Sequence, residues 1–231
     1  MKRSLILVLL LLFFKSAFSQ EEPLNTVVDS LYREDQFYIG VTYNILGNKP
    51  EGLSQSGLSS GIHFGFIRDM PINENRNLAI GIGLGYSINS YNNNLLIEKN
   101  GNNNFSYSIL DSNINFSKNK FITQELELPV EFRWRSSTPT SYNFWRFYAG
   151  VKIGYIILDK YKFSSDSGAF NINNLEDFNR LKYGLTASFG YNTWNIYLYY
   201  GLNNVFKDSA TINGNPIGIN ILKVGLMFYI L

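Results

Sequence analysis

The feature that most constrains the fold of this chain is a repeated alternation of apolar residues with polar or small ones. Segment 219–231 shows it clearly, because Leu222, Val224 and Leu226 fall on one face while Lys223 and Gly225 fall on the other. Successive side chains of a β-strand point to opposite faces, so a period of two indicates a strand. The pattern therefore predicts strands that are apolar on one face only.

Segments of this kind recur along the whole chain. They lie at 37–46, 57–68, 78–89, 121–135, 144–158, 180–191, 193–205 and 219–231. Each is long enough to cross a bilayer as a tilted strand, which takes about 9–11 residues. The chain also has 16 Tyr, 18 Phe and 19 Gly but no Cys, and aromatic rings with Gly are typical of membrane barrels. We predict an all-β fold, an eight-stranded antiparallel transmembrane β-barrel.

Connection lengths alternate along the chain, which predicts how the barrel lies in a membrane. The short connections are 69–77, 136–143 and Asn192, and the long ones are 91–120, 159–179 and 204–218, with 47–56 a short exception among them. Bacterial barrels have short periplasmic turns and longer extracellular loops. We therefore expect Asn102 and Ser167 outside the cell and Thr138 in the periplasm.

A soluble eight-stranded barrel of the lipocalin type is the alternative, with the two faces exchanged. The apolar face would then form the core, and Glu125, Glu127 and Arg133 would lie on a surface opposite an oversized core. Charges of both signs along one face fit a polar interior better, so we favour the membrane barrel.

The beginning of the chain predicts export. A basic start precedes the apolar run 5–14, and Ala17 and Ser19 are small residues at the positions that a signal peptidase reads. A transmembrane helix is the alternative, but that run is shorter than the ~20 residues a bilayer requires. We predict a cleaved signal peptide at 1–19, a periplasmic leader at 20–36, and an outer-membrane barrel at 37–231. Part of the leader, 21–35, forms either a disordered segment or a short amphipathic helical turn.

Charged residues at the polar positions of the fourth and fifth segments predict a network inside the barrel. They are Glu125, Glu127, Glu131, Arg133, Arg135, Arg146 and Lys152. Charges enclosed in a narrow barrel must be paired or hydrated, because an isolated buried charge is costly. We expect Arg135 near Arg146 at the inner end and Glu127 and Glu131 within reach of Lys152. The network either fills the lumen or lines a conductive path.

The same residues argue against several functions. The single histidine, His63, is predicted to face the lumen, where hydrogen bonding explains it better than catalysis. Loop carboxylates such as Asp111, Asp159 and Asp177 are scattered and read as solvated charge, so we predict no enzyme activity, no metal and no cofactor. No basic run indicates nucleic acid. Eight strands leave an interior that side chains fill, which excludes a general diffusion pore. A structural or adhesive barrel, a secretion component and a small-solute conduit remain.

Two resemblances add to this interpretation. Lys223, Gly225, Phe228 and Ile230 fit the terminal assembly signal of bacterial outer-membrane barrels, which implies recognition of the last strand by the barrel-assembly machinery. The stretches LELPVEFRWR at 126–135, FWRFYAGVKIGY at 144–155 and GLMFYIL at 225–231, with the Ser-Gln end of the signal peptide, resemble the PorT-like outer-membrane β-barrel family. That resemblance implies outer-membrane lipid around the barrel. It also implies secretion-system proteins as possible partners, since the namesake is tied to type IX secretion and gliding.

Overall fold

The computed structural model describes residues 33–101, 104–111, 114–137, 144–166 and 168–230. In chain order the strands are β1 Gln36–Gly47, β2 Ser60–Pro71, β3 Leu78–Asn92, β4 Leu95–Asn100, β5 Asn104–Ile109, β6 Phe116–Arg135, β7 Trp145–Ser165, β8 Gly168–Asn173, β9 Leu181–Tyr191, β10 Trp194–Gly201, β11 Thr211–Ile212, β12 Asn215–Pro216 and β13 Asn220–Ile230. None of the described residues belongs to a helix that is long and apolar enough to span a membrane.

Eight of these strands close into a barrel. The order around it is β1, β2, β3, β6, β7, β9, β10 and β13, and every neighbouring pair is antiparallel. The last strand completes the circle, with Phe37 opposite Ile230 and Gly47 opposite Asn220. The predicted all-β fold, an eight-stranded antiparallel barrel, is confirmed. Closure leaves none of these eight strands with a free edge along the wall.

The two faces of the wall differ as the sequence pattern predicts. Leu84 is 72% exposed and Trp194 is 64% exposed on the outside, whereas Arg133 and His63 are fully buried inside. Apolar residues outside and charged residues inside are the reverse of a soluble barrel's arrangement. The lipocalin-type alternative is therefore excluded.

Short and long connections lie at opposite ends of the barrel. The short-turn end carries 72–77, 136–144 and 192–193, and the long-loop end carries 48–59, 93–115, 166–180 and 202–219. The long loops contain the β4–β5 hairpin, β8 and the β11–β12 hairpin. The predicted signal peptide, leader residues 20–32, and the topology positions Asn102, Thr138 and Ser167 lie outside the described residues.

The β6–β7 hairpin extends beyond the predicted segments. β6 begins at Phe116 and β7 continues to Ser165, with a shift of register where Gln124 and Glu125 face Leu158 and Ile156. A bulge adds one residue to a strand and turns the following side chains to the other face. Asp159 consequently points inward and is buried. Its interpretation as a solvated loop carboxylate was wrong, because the bulge interrupts the period of two on which that interpretation rested.

Candidate functional site: the barrel interior

The barrel interior holds the main concentration of buried charge in the described part of the chain. It contains Glu34, Asp69, Glu125, Glu127, Glu131, Arg133, Arg135, Arg146, Lys152, Asp159, Lys182 and Lys223, with His63 among them. We call these thirteen side chains the interior network. Alternation along the strands places all of them except Glu34 there, because every second residue of a barrel strand faces inward.

The charges nearest the short-turn end converge on Asp69 at the end of β2. Its Oδ2 lies 2.8 Å from Nη1 of Arg135, and its Oδ1 lies 3.3 Å from Nη1 of Arg133. Nε of Arg133 lies 3.1 Å from Oε2 of Glu131, and Nε of Arg135 donates to the backbone carbonyl of Arg76. Removal of any one partner would leave a buried charge uncompensated, which is strongly destabilising. These contacts therefore tie β2 to β6.

Glu34 joins the same end from the segment before β1. Its Oε2 lies 3.8 Å from Nη2 of Arg146 and accepts a 3.3 Å hydrogen bond from Nε2 of Gln36. Burial raises the pKa of the Glu34 carboxyl, although the cations of Arg135 and Arg146 oppose that shift. The barrel therefore includes residues that the sequence pattern assigned to the leader.

A glycine provides the space that Arg133 occupies. Gly81 on β3 is the cross-strand neighbour of both Asp69 and Glu131. A Cβ atom on Gly81 would lie 2.6 Å from Nε and 3.0 Å from Cδ of Arg133. Real Cβ atoms do not approach side-chain atoms this closely, so glycine at this position lets the Arg133 side chain pass over the inner face of β3 to reach Asp69.

Glu127 connects the charged and polar groups in the middle of the interior. Its Oε2 accepts a 2.8 Å hydrogen bond from Nζ of Lys152, and its Oε1 lies 3.1 Å from Nδ1 of His63. The other ring nitrogen of His63 lies 3.1 Å from Oγ1 of Thr42. The expectation that His63 is a lumen residue held by hydrogen bonds is confirmed. One carboxylate thus connects β1, β2 and β7 through charged and polar contacts.

Glu125 is the centre of the charges nearer the long loops. Its Oε2 lies 3.9 Å from Nζ of Lys223, and its Oε1 accepts a 2.7 Å hydrogen bond from Oγ1 of Thr123. Nζ of Lys182 donates to the backbone carbonyl of Asn204 at 2.8 Å. These contacts link β6 with β13 and link β9 with the connection that follows β10.

Tyrosine rings fill the space between the charges. The guanidinium carbon of Arg133 lies 4.5 Å from the ring centre of Tyr148 and 5.8 Å from that of Tyr229. Nζ of Lys152 lies 5.0 Å from the ring centre of Tyr197. These distances are within the range of cation–π attraction. The rings occupy volume and also stabilise the cations that they contact.

The long loops pack over the adjacent mouth of the barrel. Tyr91 stacks on Phe121 with ring centres 4.7 Å apart, and Phe178 packs against Phe121 at 5.6 Å and against Phe206 at 5.0 Å. All four rings are buried. Aromatic pairs at these distances contribute stability beyond the area that they bury. Phe178 and Phe206 of the loops thus form an apolar cap together with Tyr91 of β3 and Phe121 of β6.

Asp177 holds that cap together with hydrogen bonds. It accepts one of 2.8 Å from the hydroxyl of Tyr107 and one of 3.0 Å from Oγ of Ser209, and its backbone carbonyl accepts one of 2.7 Å from the N–H of Lys207. Burial and the adjacent carboxylate raise the pKa of the Tyr107 hydroxyl, which keeps it a donor. Asp177, predicted as a scattered, solvated loop charge, is half-buried and joins three loops.

All seven sequence-predicted network residues lie in the interior. Glu127 reaches Lys152 as expected, whereas Glu131 contacts Arg133 instead. Arg135 and Arg146 are cross-strand neighbours, as expected. Sequence reasoning missed Glu34, Asp69, Asp159, Lys182 and Lys223 as members. Asp69 was within reach of the pattern, because it continues the alternation of His63 beyond the predicted end of the second segment.

The sign of the charges limits what the interior can do. The buried charged residues of the described chain comprise six carboxylates and six Lys or Arg side chains besides His63. Pores that select ions by charged side chains use rings of one sign, whereas this interior carries both signs in equal number. The described residues include no group of three or more His, Cys, Asp or Glu side chains that could hold a metal ion.

The residues of the predicted assembly signal lie on the closing strand β13. Lys223 points inward toward Glu125, and Gly225 lies opposite Thr42 of β1. Phe228 packs outside against Trp194, with ring centres 4.7 Å apart, and Ile230 is 47% exposed. The motif therefore presents an apolar outer edge while its lysine belongs to the interior network.

Comparisons of the sequence and the structure with known proteins identify the family of the chain. A sequence model described as an outer membrane protein beta-barrel domain matches residues 18–207. A crystal structure of Ail, the attachment invasion locus protein of Yersinia pestis, is similar with 12% identity and a TM-score of 0.37, covering 87% of this chain and 100% of that one. A structure titled "Asymmetric conductivity of engineered proteins" has 7% identity and a TM-score of 0.21, covering 86% and 100%. No curated protein matches the sequence.

Proposed function

Since the chain belongs to the outer membrane protein β-barrel domain family, we propose that it is a non-enzymatic barrel with a filled lumen and a structural or partner-binding role. The observation that carries this proposal is the interior network, which is buried, balanced in sign and packed with tyrosine rings. Charges that form ion pairs with one another leave no continuous row of sites for a passing ion. The apolar loop cap supports the same conclusion at one mouth.

Conductance of the purified barrel in a planar bilayer tests the filled lumen. We expect no steady ohmic current from the native protein, with an open porin as the positive control. A variant with Arg133→Ala, Tyr148→Ala and Tyr229→Ala removes adjacent interior groups, and we expect it to conduct more. Tyr183→Ala with Tyr200→Ala, two exposed outer-wall changes, is the matched control. Steady ohmic current from the native protein would favour the alternative, a narrow small-solute channel.

The partner-binding role is supported by β8. This strand pairs only with β7 in the described chain and lies at the end of the sheet order. An unpaired strand edge presents backbone donors and acceptors that another chain can pair with. Residues 168–171 are exposed there. A partner that adds an extended segment to this edge fits the geometry.

Membership in the PorT-like group and a role in type IX secretion are the finer alternative for the partner-binding role. The resemblance of 126–135 and 144–155 supports this alternative. Pull-down from membranes, followed by a secretion assay in a deletion strain, tests it. Loss of secretion that the wild-type gene restores would support the role, and normal secretion would exclude it.

Export and assembly complete the proposal. We place cleavage of the signal peptide before Gln20, and we assign Lys223, Gly225, Phe228 and Ile230 to recognition by the barrel-assembly machinery, with outer-membrane lipid as the surrounding partner. Mass spectrometry of the mature protein tests the cleavage site. Replacing Phe228 by Ser should reduce the amount of folded barrel in outer membranes, whereas Phe170→Ser in β8 should not.

A further inference from the structure

Four lysines cluster on the outer surface of the β6–β7 hairpin, toward the long-loop end. They adjoin the band of exposed apolar residues on the outer wall, which we call the apolar belt. Lys120 lies opposite Lys162 across the two strands, and Lys160 lies opposite Ile122 one step nearer the belt. Lys118 lies one step beyond Lys120 on the same face. We call Lys118, Lys120, Lys160 and Lys162 the lysine patch. Like charges directly opposite on neighbouring strands repel each other, so this arrangement costs stability unless an anion binds there.

No carboxylate of the described chain forms an ion pair with these lysines. None of its ion pairs involves a residue of the lysine patch. Asp159, beside Lys160 in sequence, points inward and pairs with Arg180. Amide side chains lie opposite three of the four lysines. Asn92 lies opposite Lys120, Asn171 opposite Lys162 and Asn173 opposite Lys160. Cations flanked by amide N–H donors suit a ligand that is anionic and accepts hydrogen bonds.

On the side of the lysine patch nearer the apolar belt, the residues of the outer wall are apolar. Leu158, Leu126 and Tyr155 are more than half exposed there. A surface cleft of about 330 Å³ lies at the junction, lined by Ile122, Gln124, Leu158, Asp159, Lys160, Asn173 and Asn174. Cationic and amide groups thus lie immediately beside an exposed apolar surface. This combination matches an amphipathic ligand rather than a free anion.

We propose that the lysine patch binds the phosphorylated head group of an outer-leaflet glycolipid, whose acyl chains lie along Leu126 and Tyr155. This site rests on the proposed membrane orientation, with the long loops outside the cell. A phosphate between Lys120 and Lys162 would relieve their mutual repulsion and accept hydrogen bonds from Asn171. The lipid would thereby fix the height at which the β6–β7 hairpin meets the membrane surface.

Native mass spectrometry of lipid binding to the purified full-length protein tests the proposal. The probes are monophosphoryl lipid A, the same lipid after removal of its phosphate, and inorganic phosphate. Lys120→Gln with Lys162→Gln removes two patch charges, and Lys49→Gln with Lys207→Gln removes two exposed charges elsewhere. We expect the patch variant to bind the phosphorylated lipid about 25-fold more weakly, about fivefold per lysine, and the control variant to bind like the native protein.

Three results would overturn the proposal. One is equal binding of the phosphorylated and dephosphorylated lipids by the native protein, and another is unchanged binding by the patch variant. The third is displacement of the lipid by inorganic phosphate at equal concentration, which would assign the patch to a free anion. Resistance of each variant to unfolding in unheated detergent gels verifies that it is folded. This measurement does not depend on conductance. If the barrel conducted ions and still bound the phosphorylated lipid, only the proposal of a filled lumen would be contradicted.

Discussion

At the scale of single residues, Glu127 is the interior group whose loss has the clearest consequence. Its two carboxylate oxygens contact Lys152 and His63, and each of these is buried. A buried cation without its partner costs several kcal/mol, whereas an exposed ion pair contributes little. The contribution of Glu127 to the free energy of unfolding therefore comes mainly from the cost of leaving its partners unpaired.

We expect Glu127→Gln to lower the free energy of unfolding by about 3 kcal/mol, because Lys152 then stays buried without a counter-charge. Urea unfolding of the barrel in lipid vesicles measures this loss. Glu51→Gln in an exposed loop is the control and should change little. Adding Lys152→Met to Glu127→Gln should recover part of the stability. A Glu127→Gln barrel as stable as the native one would show that the interior is hydrated.

Gly81 gives a second test at this scale. We expect Gly81→Ala to destabilise the barrel by about 1–3 kcal/mol, because its Cβ atom would force Arg133 away from Asp69. Gly218→Ala is the control, since a Cβ atom there meets nothing within 4 Å. The same unfolding assay measures both variants. If the two glycines tolerated alanine equally, the close approach of Arg133 to the wall would be contradicted.

At the scale of elements, the strands could be predicted because one physical pattern determines them. Each wall strand alternates between lipid and lumen, so the sequence alone located all eight segments. The bulge at Ile156–Leu158 could not be predicted, because it breaks the period without a Gly or Pro signal. For the same reason Asp159 was assigned to the wrong environment. The loop cap was missed because Phe178 and Phe206 lie in irregular segments, where periodicity carries no information.

The interior network was only partly predictable for a similar reason. Alternation tells which side chains point inward, so Glu127 and Lys152 could be placed together on neighbouring strands. It does not tell which side chains reach past the neighbouring strand, as those of β6 reach past β3 to β2. The contact of Glu127 with His63 therefore required the closed structure, as did that of Arg133 with Asp69.

The lipid-facing side of the strands makes a quantitative prediction. Ile82→Arg, Leu128→Arg and Ile153→Arg should each cost about 2–4 kcal/mol, because these exposed apolar residues would lie near the bilayer midplane. Gln124→Arg, on the same face but at the polar border, should cost about 0–1 kcal/mol. Unfolding in vesicles gives the four values. Equal, small effects at all four positions would mean that this face does not contact lipid.

At the scale of the whole molecule, orientation decides what every surface meets. The apolar cap, the β8 edge and the lysine patch lie toward the long-loop end, whereas the short-turn end holds Asp69 and Glu34. If the long loops are outside the cell, the cap and the edge face partners and the patch faces the outer leaflet. If they are inside, the lysine patch meets the inner leaflet of that membrane instead.

Single cysteines measure this orientation, and the chain has none of its own. We expect Ser108→Cys and Asp208→Cys, exposed at the long-loop end, to react with a membrane-impermeant maleimide on intact cells. Asn75→Cys, exposed in the turn 72–77, should react only after the outer membrane is opened. The cysteine-free native protein controls for background, and opened cells should label all three variants. The opposite pattern would reverse the proposed orientation and remove the basis for outer-leaflet lipid at the lysine patch. Recovery of the protein from the soluble periplasm would contradict its location in the membrane.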